Sequence, residues 1–263
     1  MKRMASLLFL LVVSARGQTI EGRVVLPDSA GVVGVSRLAV CDTAQGRVFY
    51  GGVGAVGVMA GPEGRRVERI DVEGRVNHYT HGLYLDQGLS RFCTLAGLDT
   101  LIEVIDTRAD SIVETIALPY GMVVQNGEQM VCLNTQDHKL YAVVGLGKTA
   151  VFDIAAGTFL RVFELAPDPV GMCYNPRSNK VYANCNNKVW VRDGATDSLL
   201  NIVPAGNGAT YLGHLGTHNK VYVTNTFGDD VTVIDGAGDS LVCTIQVPGG
   251  PGGMTTNETD GKV

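Results

Sequence analysis

The chain has 263 residues, of which 45% are hydrophobic and 18% are charged, and it contains 34 glycines. This composition supports a full hydrophobic core and gives little sign of long amphipathic helices, so one large β domain is expected. The net charge is −5, and removing residues 1–17, which carry three basic and no acidic residues, leaves a charge of −8. Such a surface does not attract phosphate backbones, which argues against nucleic-acid binding.

Residues 1–17 have the pattern of a signal peptide. Lys2 and Arg3 precede an apolar stretch at residues 5–13, and Ala15 and Gly17 are the small residues of a cleavage site before Gln18. The alternative, a transmembrane anchor, needs about 20 apolar residues. The sequence therefore predicts that residues 18–263 form one exported domain without a membrane span, in the periplasm, outside the cell or at its surface.

A unit of about 42 residues recurs along the chain. Each unit has a basic residue that leads into an apolar strand, at intervals of 40 to 48 residues. The basic residues are Arg47, Arg91, Lys139, Lys180, Lys220 and Lys262.

A second sequence feature recurs at a nearly constant distance after the basic residue. An apolar run ends in Asp 13 to 15 residues after four of the basic residues, at Asp106, Asp153, Asp193 and Asp235. We interpret these residues as turn residues rather than a ring of catalytic acids, because an Asp side chain accepts hydrogen bonds from turn amides. An alternating apolar strand follows each turn, so each unit supplies four strands.

Four short strands every 40 to 45 residues are typical of β-propeller blades. The competing fold, a β-sandwich, would not need the same strand order to return in phase. The predicted fold is therefore an all-β propeller with five complete four-stranded blades and a partial one.

Two segments carry a family resemblance. Residues 219–225 (Asn-Lys-Val-Tyr-Val-Thr-Asn) and 230–235 (Asp-Val-Thr-Val-Ile-Asp) resemble the YVTN repeat of bacterial and archaeal surface and periplasmic β-propellers. The likeness is nearly complete at residues 219–245, recognisable at 179–198 and weak at 46–72. It implies a seven-bladed ring in most members and no single shared activity.

The two ends of the chain complement each other. Residues 254–257 are expected to form the first strand of a sixth unit, while residues 19–26 resemble the fourth strand of a blade and are expected to complete the last one. On this expectation the chain is a fragment of a six- or seven-bladed ring.

Six cysteines in an exported protein raise the question of disulfides. Most of them lie in different units, too far apart to pair, and cysteine is a common buried residue. Cys173 and Cys185 are the exception, because they flank a single turn and are the one pair that a hairpin could bring together. The chain has no Cys-x-x-Cys pair and no haem-attachment motif, so no cofactor is expected.

Two loop regions hold the candidate ligand contacts. His78, Tyr79 and His81 lie in the connector between the first and second units, without the third ligand that a metal site would need. Asn225, Asp229 and Asp230 lie between a second and a third strand, and Asp99 lies in the corresponding loop of another unit. In a propeller these loops share a face with the blade-to-blade connectors.

The chain contains no nucleophile elbow, no His-Glu-x-x-His motif and no phosphate loop. Repeat positions account for nearly every distinctive residue. We therefore expect a non-enzymatic binding or scaffolding module that presents its loops to a protein, a glycan or a small ligand. The alternative is a lactonase-like or other hydrolytic propeller, in which His78, His81 and acids from several blades would converge at one mouth of the channel.

Overall fold

The computed structural model describes residues 39–52, 55–60, 66–72, 83–96, 100–119, 129–145 and 147–263. The predicted signal peptide and residues 19–26 lie outside these ranges. The described residues are mostly β-strand, and their single helical element is a 3-10 turn at Gly216–His218. The predicted all-β fold is confirmed.

The described strands form five four-stranded antiparallel sheets, each made of four strands that are consecutive in the chain. The first sheet contains β1 (Ala39–Asp42), β2 (Arg47–Gly52), β3 (Ala55–Ala60) and β4 (Arg66–Asp71). The second contains β5 (Leu83–Asp86), β6 (Arg91–Ala96), β7 (Leu101–Asp106) and β8 (Ser111–Ala117). The third contains β9 (Val131–Asn134), β10 (Lys139–Gly145), β11 (Lys148–Asp153) and β12 (Thr158–Phe163). The fourth contains β13 (Gly171–Asn175), β14 (Lys180–Cys185), β15 (Lys188–Asp193) and β16 (Leu199–Pro204). The fifth contains β17 (Ala209–Leu215), β18 (Lys220–Asn225), β19 (Asp230–Asp235) and β20 (Ser240–Gln246).

The repeat markers fall at equivalent places in these sheets. Arg47, Arg91, Lys139, Lys180 and Lys220 each begin the second strand of their sheet. Asp106, Asp153, Asp193 and Asp235 each end a third strand and accept hydrogen bonds from the amides of the following turn. Their predicted structural role is confirmed. The Thr196 amide, which donates to Asp193, is the main reason why the pKa of that carboxyl lies below its ordinary value.

The chain divides into two compact units, Met1–Thr115 and Ile116–Val263. In the first, the facing sides of the first two sheets bury an apolar cluster in which the rings of Phe49 and Phe92 lie with centroids 4.7 Å apart. In the second, the fourth sheet has neighbours on both faces. Val181 and Cys185 point into the cluster shared with the third sheet, whereas Tyr182 points into the cluster shared with the fifth. This period of two is the side-chain alternation of a β-strand.

A polar contact between neighbouring sheets repeats within the second unit, and we call it the latch. The side chains of Lys180 and Tyr182, two residues apart on β14, reach the turn between β19 and β20 in the next sheet. There Asp239 accepts hydrogen bonds from the lysine at 2.7 Å and from the tyrosine hydroxyl at 2.9 Å. Lys139 and Tyr141 contact Asp197 of the fourth sheet in the same way.

The first unit has a variant of this contact, in which Arg47 donates to Asp110 at 2.5 Å and to the Thr107 carbonyl oxygen at 2.7 Å. Asp110, Asp197 and Asp239 all have a positive φ, between 50° and 62°. Asp tolerates this left-handed conformation better than most residues, because its short side chain bonds locally. The turn therefore places the Asp carboxylate next to the basic side chain of the neighbouring sheet.

Cys173 and Cys185, the one pair that the sequence allows to form a disulfide, are both free thiols in this structure. Cys173 lies opposite Tyr182 in the register of β13 and β14. Cys185 is three residues beyond Tyr182, so its side chain points to the other face of the sheet. Sharing a turn therefore does not bring these two thiols together, because of this alternation.

Met254 and Thr256 lie beside Gly213 of β17, and Glu258 and Gly261 lie beside the 3-10 turn that follows this strand. The carboxylate of Glu258 accepts hydrogen bonds from the amides of Gly216 and Thr217 at 2.8 and 2.9 Å, and these contacts lower its pKa. Asn257 caps a turn and forms an isolated bridge with Lys262. A turn is therefore present at residues 257–262, whereas residues 254–256, expected as part of the first strand of a sixth unit, form no strand.

Candidate functional site

The structure describes three of the seven predicted ligand contacts. Asn225, Asp229 and Asp230 lie at the connection between β18 and β19. His78, Tyr79, His81 and Asp99 lie outside the described residues. The candidate residues that the structure describes therefore all lie on the fifth sheet.

Three segments of the second unit meet around this connection: residues 205–208, 226–229 and 247–251. We call them the loop cluster. The amides of Thr226 and Phe227 donate to the carbonyl oxygens of Gly208 and Asn207 at 2.9 and 3.2 Å. The Thr226 hydroxyl donates to the Pro251 carbonyl oxygen at 2.9 Å. The loop between the second and third strands is thus tied to the connectors on both sides of it.

Asp229 holds one of these connectors in place. Its carboxylate oxygen Oδ1 accepts the amides of Gly249 and Gly250 at 3.1 and 2.8 Å, and its carbonyl oxygen accepts the Val247 amide at 2.8 Å. The residue has a φ of 52°, in the left-handed region. Asp229 therefore shapes the loop, and the side chain is largely occupied by backbone contacts.

Asn225 is fully buried beneath the loop cluster. Its amide nitrogen Nδ2 donates to Asp230 Oδ1 at 2.5 Å and to Thr232 Oγ1 at 2.8 Å. The oxygen Oδ1 of Asn225 has no hydrogen-bond partner among the described residues. Because no atom of this side chain reaches solvent, Asn225 orients Asp230 from below and makes no outward contact of its own.

Phe227 is the residue of this site that sequence reasoning missed. It lies at the tip of the loop and is 79% exposed, the largest exposure among the large apolar side chains described. Its ring lies over Gly208, where an added Cβ would come within 2.5 Å of the ring carbon Cδ2. The available signal was an aromatic residue inside an otherwise small and polar loop, Asn-Thr-Phe-Gly-Asp-Asp at residues 225–230.

The charge of the loop cluster is negative. Asp229 and the adjoining Asp230 are acidic, and residues 205–208, 225–230 and 247–253 include no lysine or arginine. Glycines at 208, 249 and 250 have positive φ, and the backbone of Gly208 lies close against the aromatic ring. The arrangement offers a flat apolar surface beside carboxylates and backbone polar groups.

Titratable groups outside the loop cluster include His214 and Cys173, whose pKa values are shifted. Among the described residues no group of three His, Cys, Asp or Glu side chains is placed to hold a metal ion. Burial lowers the pKa of His214 on β17 and raises the pKa of the Cys173 thiol to about 12. Burial therefore favours the neutral form of each group.

None of the described helical structure is long and apolar enough to cross a membrane. Comparison with protein-family models gives no match to this chain. A search among curated proteins likewise gives no significant match.

Proposed function

We propose that this chain is an exported, non-enzymatic propeller of the YVTN-repeat type, and that the loop cluster of its second unit binds a ligand through Phe227. The observation that carries the proposal is an aromatic side chain left 79% exposed at the tip of a loop whose backbone is fixed on both sides. Aromatic anchors on rigid frames are the side chains that dominate binding energy at protein surfaces.

Of the three ligand classes expected from the sequence, a glycan has the best chemical fit. The C–H face of a sugar ring packs on a flat aromatic ring, and sugar hydroxyls donate to carboxylates such as that of Asp230. A negatively charged loop cluster without basic residues disfavours phosphorylated or sulfated ligands. Ordered turns lower the entropy that the loops lose on binding.

A glycan array probed with the purified protein tests this function. We expect binding to at least one neutral glycan, and a loss of about tenfold or more in affinity in Phe227→Ala, which is typical of a removed anchor. Leu199→Ala is the matched control, because Leu199 is an exposed apolar residue of β16 outside the loop cluster. Equal binding by Phe227→Ala, or no binding to any neutral glycan, would contradict the proposal.

The same preparation tests the non-enzymatic part of the proposal. The protein is incubated with a lactone, and hydrolysis is followed by proton release. No turnover above the uncatalysed rate is expected. Turnover that a point mutation in one loop abolishes would favour a hydrolytic propeller instead.

A further inference from the structure

Strand β20 is an exposed edge. It pairs with β19 on one side, and no other described strand pairs with its free side. All seven residues of Ser240–Gln246 are exposed. An edge strand of this kind presents unpaired N–H and C=O groups that another strand can bind.

The other four fourth strands each carry a feature that discourages pairing. β4 contains Arg69 and Asp71, β8 contains Glu114, β12 contains Arg161, and β16 ends at Pro204. Charges and proline on an edge are the usual protection against strand addition. β20, with the sequence Ser-Leu-Val-Cys-Thr-Ile-Gln, has neither. The bulge in the pairing of β20 with β19 does not set β20 apart from the other fourth strands, because β12 and β16 also have one.

The exposed edge is apolar as well as uncharged. Leu241, Val242 and Ile245 remain 48%, 50% and 46% exposed. Burying such side chains against another strand is favourable in proportion to the apolar area removed from water. Backbone hydrogen bonds and apolar contact therefore favour the same event, the addition of a strand to β20.

The centre of this strand is an exposed free cysteine, Cys243, with three residues of β20 on each side. In an antiparallel pair about a two-fold axis through residue 243, the two thiols lie directly opposite each other. Directly opposed residues in antiparallel strands have Cα atoms about 4.5–5.5 Å apart. This spacing lies within the range of about 4.4–6.8 Å found for disulfides.

We propose that two copies of this chain pair through β20 as antiparallel strands and are locked by a disulfide between their Cys243 residues. Self-pairing is favoured over a different partner because it alone opposes each thiol to an identical thiol. The edge also lacks the charges that would repel a second copy.

The locking step requires an oxidant, and a small disulfide such as oxidised glutathione supplies it. One Cys243 thiolate attacks the glutathione disulfide and releases one glutathione as its thiol. The thiolate of the second copy then attacks the mixed disulfide and releases the other glutathione. Two protein thiols become one disulfide, and the two electrons and two protons reside on two reduced glutathione molecules.

The disulfide is needed for a stable dimer because strand pairing alone gives a small interface. One seven-residue strand on each copy buries much less than the roughly 1,600 Å² of a standard protein–protein interface. The reduced dimer is therefore weak and depends on concentration. An oxidising compartment makes it permanent.

The test uses the full chain in a buffer of oxidised and reduced glutathione. We expect a dimer on non-reducing gels that a reductant dissolves, with a Cys243–Cys243 peptide in the mass map. Cys243→Ser abolishes this dimer, whereas Cys41→Ser, which removes another exposed thiol, leaves it unchanged. A dimer that persists in Cys243→Ser, or a mass map dominated by other pairs, would overturn the proposal.

Sedimentation of Cys243→Ser isolates the strand pairing from the disulfide. A reversible dimer is expected at high protein concentration. Val242→Lys in this background should weaken it by about tenfold or more, since the two added charges meet near the axis. Leu199→Lys introduces the same charge at a similarly exposed position of β16 and should change it less than about twofold. A strictly monomeric Cys243→Ser protein would show that β20 does not pair with itself. Equal weakening of the dimer by the two lysine substitutions would show the same. Either result would leave the edge of β20 to another occupant, such as an extended peptide.

Discussion

The latch between neighbouring sheets makes Tyr182→Phe an informative substitution. The change removes one hydroxyl and keeps the fully buried ring, so it creates no large cavity. That hydroxyl donates to Asp239 at 2.9 Å and lies 3.4 Å from the Gly236 carbonyl oxygen. Burial raises the pKa of Tyr182, which keeps the proton available for donation.

The expected loss follows from the acceptor. A hydrogen bond to a charged group contributes about 1.5–3 kcal/mol, and Asp239 keeps Lys180 as its second partner at 2.7 Å. We therefore expect Tyr182→Phe to lower the free energy of unfolding by about 1.5–3 kcal/mol. For a chain of this size the corresponding fall in Tm is roughly 3–12 °C.

The repeat supplies a matched control. Tyr222 occupies the same position of the fifth sheet, in Lys220-Val221-Tyr222, but its hydroxyl makes no hydrogen bond to another described residue. Tyr222→Phe should change the free energy of unfolding by no more than about 0.5 kcal/mol. Urea denaturation and calorimetry of both variants measure the difference.

A double-mutant cycle completes this experiment. Asp239→Asn keeps the size of the side chain and tolerates the positive φ of 51° at this position. Its combination with Tyr182→Phe should show a coupling energy of about 0.5–3 kcal/mol. Equal losses in Tyr182→Phe and Tyr222→Phe, or purely additive effects in the cycle, would refute a stabilising role for the latch.

Three further outcomes are expected. Gly236→Ala places a Cβ 2.8 Å from a backbone carbonyl oxygen and should cost about 1–3 kcal/mol in urea denaturation, whereas Gly252→Ala, whose added methyl meets no atom within 4 Å, should be neutral. Because burial lowers the pKa of His214 below its unfolded value of about 6.5, the unfolded chain binds more protons, so stability falls as pH drops through that value. His214→Gln should flatten this part of the pH profile of unfolding, and an unchanged slope between pH 8 and 5.5 would contradict the assignment. Alkylation without reductant should label Cys173 and Cys185 as separate free thiols after unfolding, and a mapped peptide that joins them would show a different strand register.

Local features of the sequence were sufficient to identify the repeat. Basic residues such as Lys180 mark the starts of second strands, and residues such as Asp193 mark the ends of third strands. Both markers are read from a few neighbouring residues, since strand alternation and turn capping are short-range effects. The four-stranded unit was therefore predictable without knowledge of which sheets are neighbours.

Contacts between distant parts of the chain were decided by the tertiary structure. Asp239 lies only four residues after the predicted turn residue Asp235, yet its carboxylate is the acceptor for Lys180, 59 residues earlier in the chain. The exposure of Phe227 likewise depends on how connectors before and after its sheet fold around it. The sequence by itself determined the strands and their turns, because these depend on local backbone geometry. Only the stacking of one sheet on the next decided which polar groups contact each other, which thiols point to opposite faces and which strand edge remains free. These outcomes depend on residues that are brought together from different units.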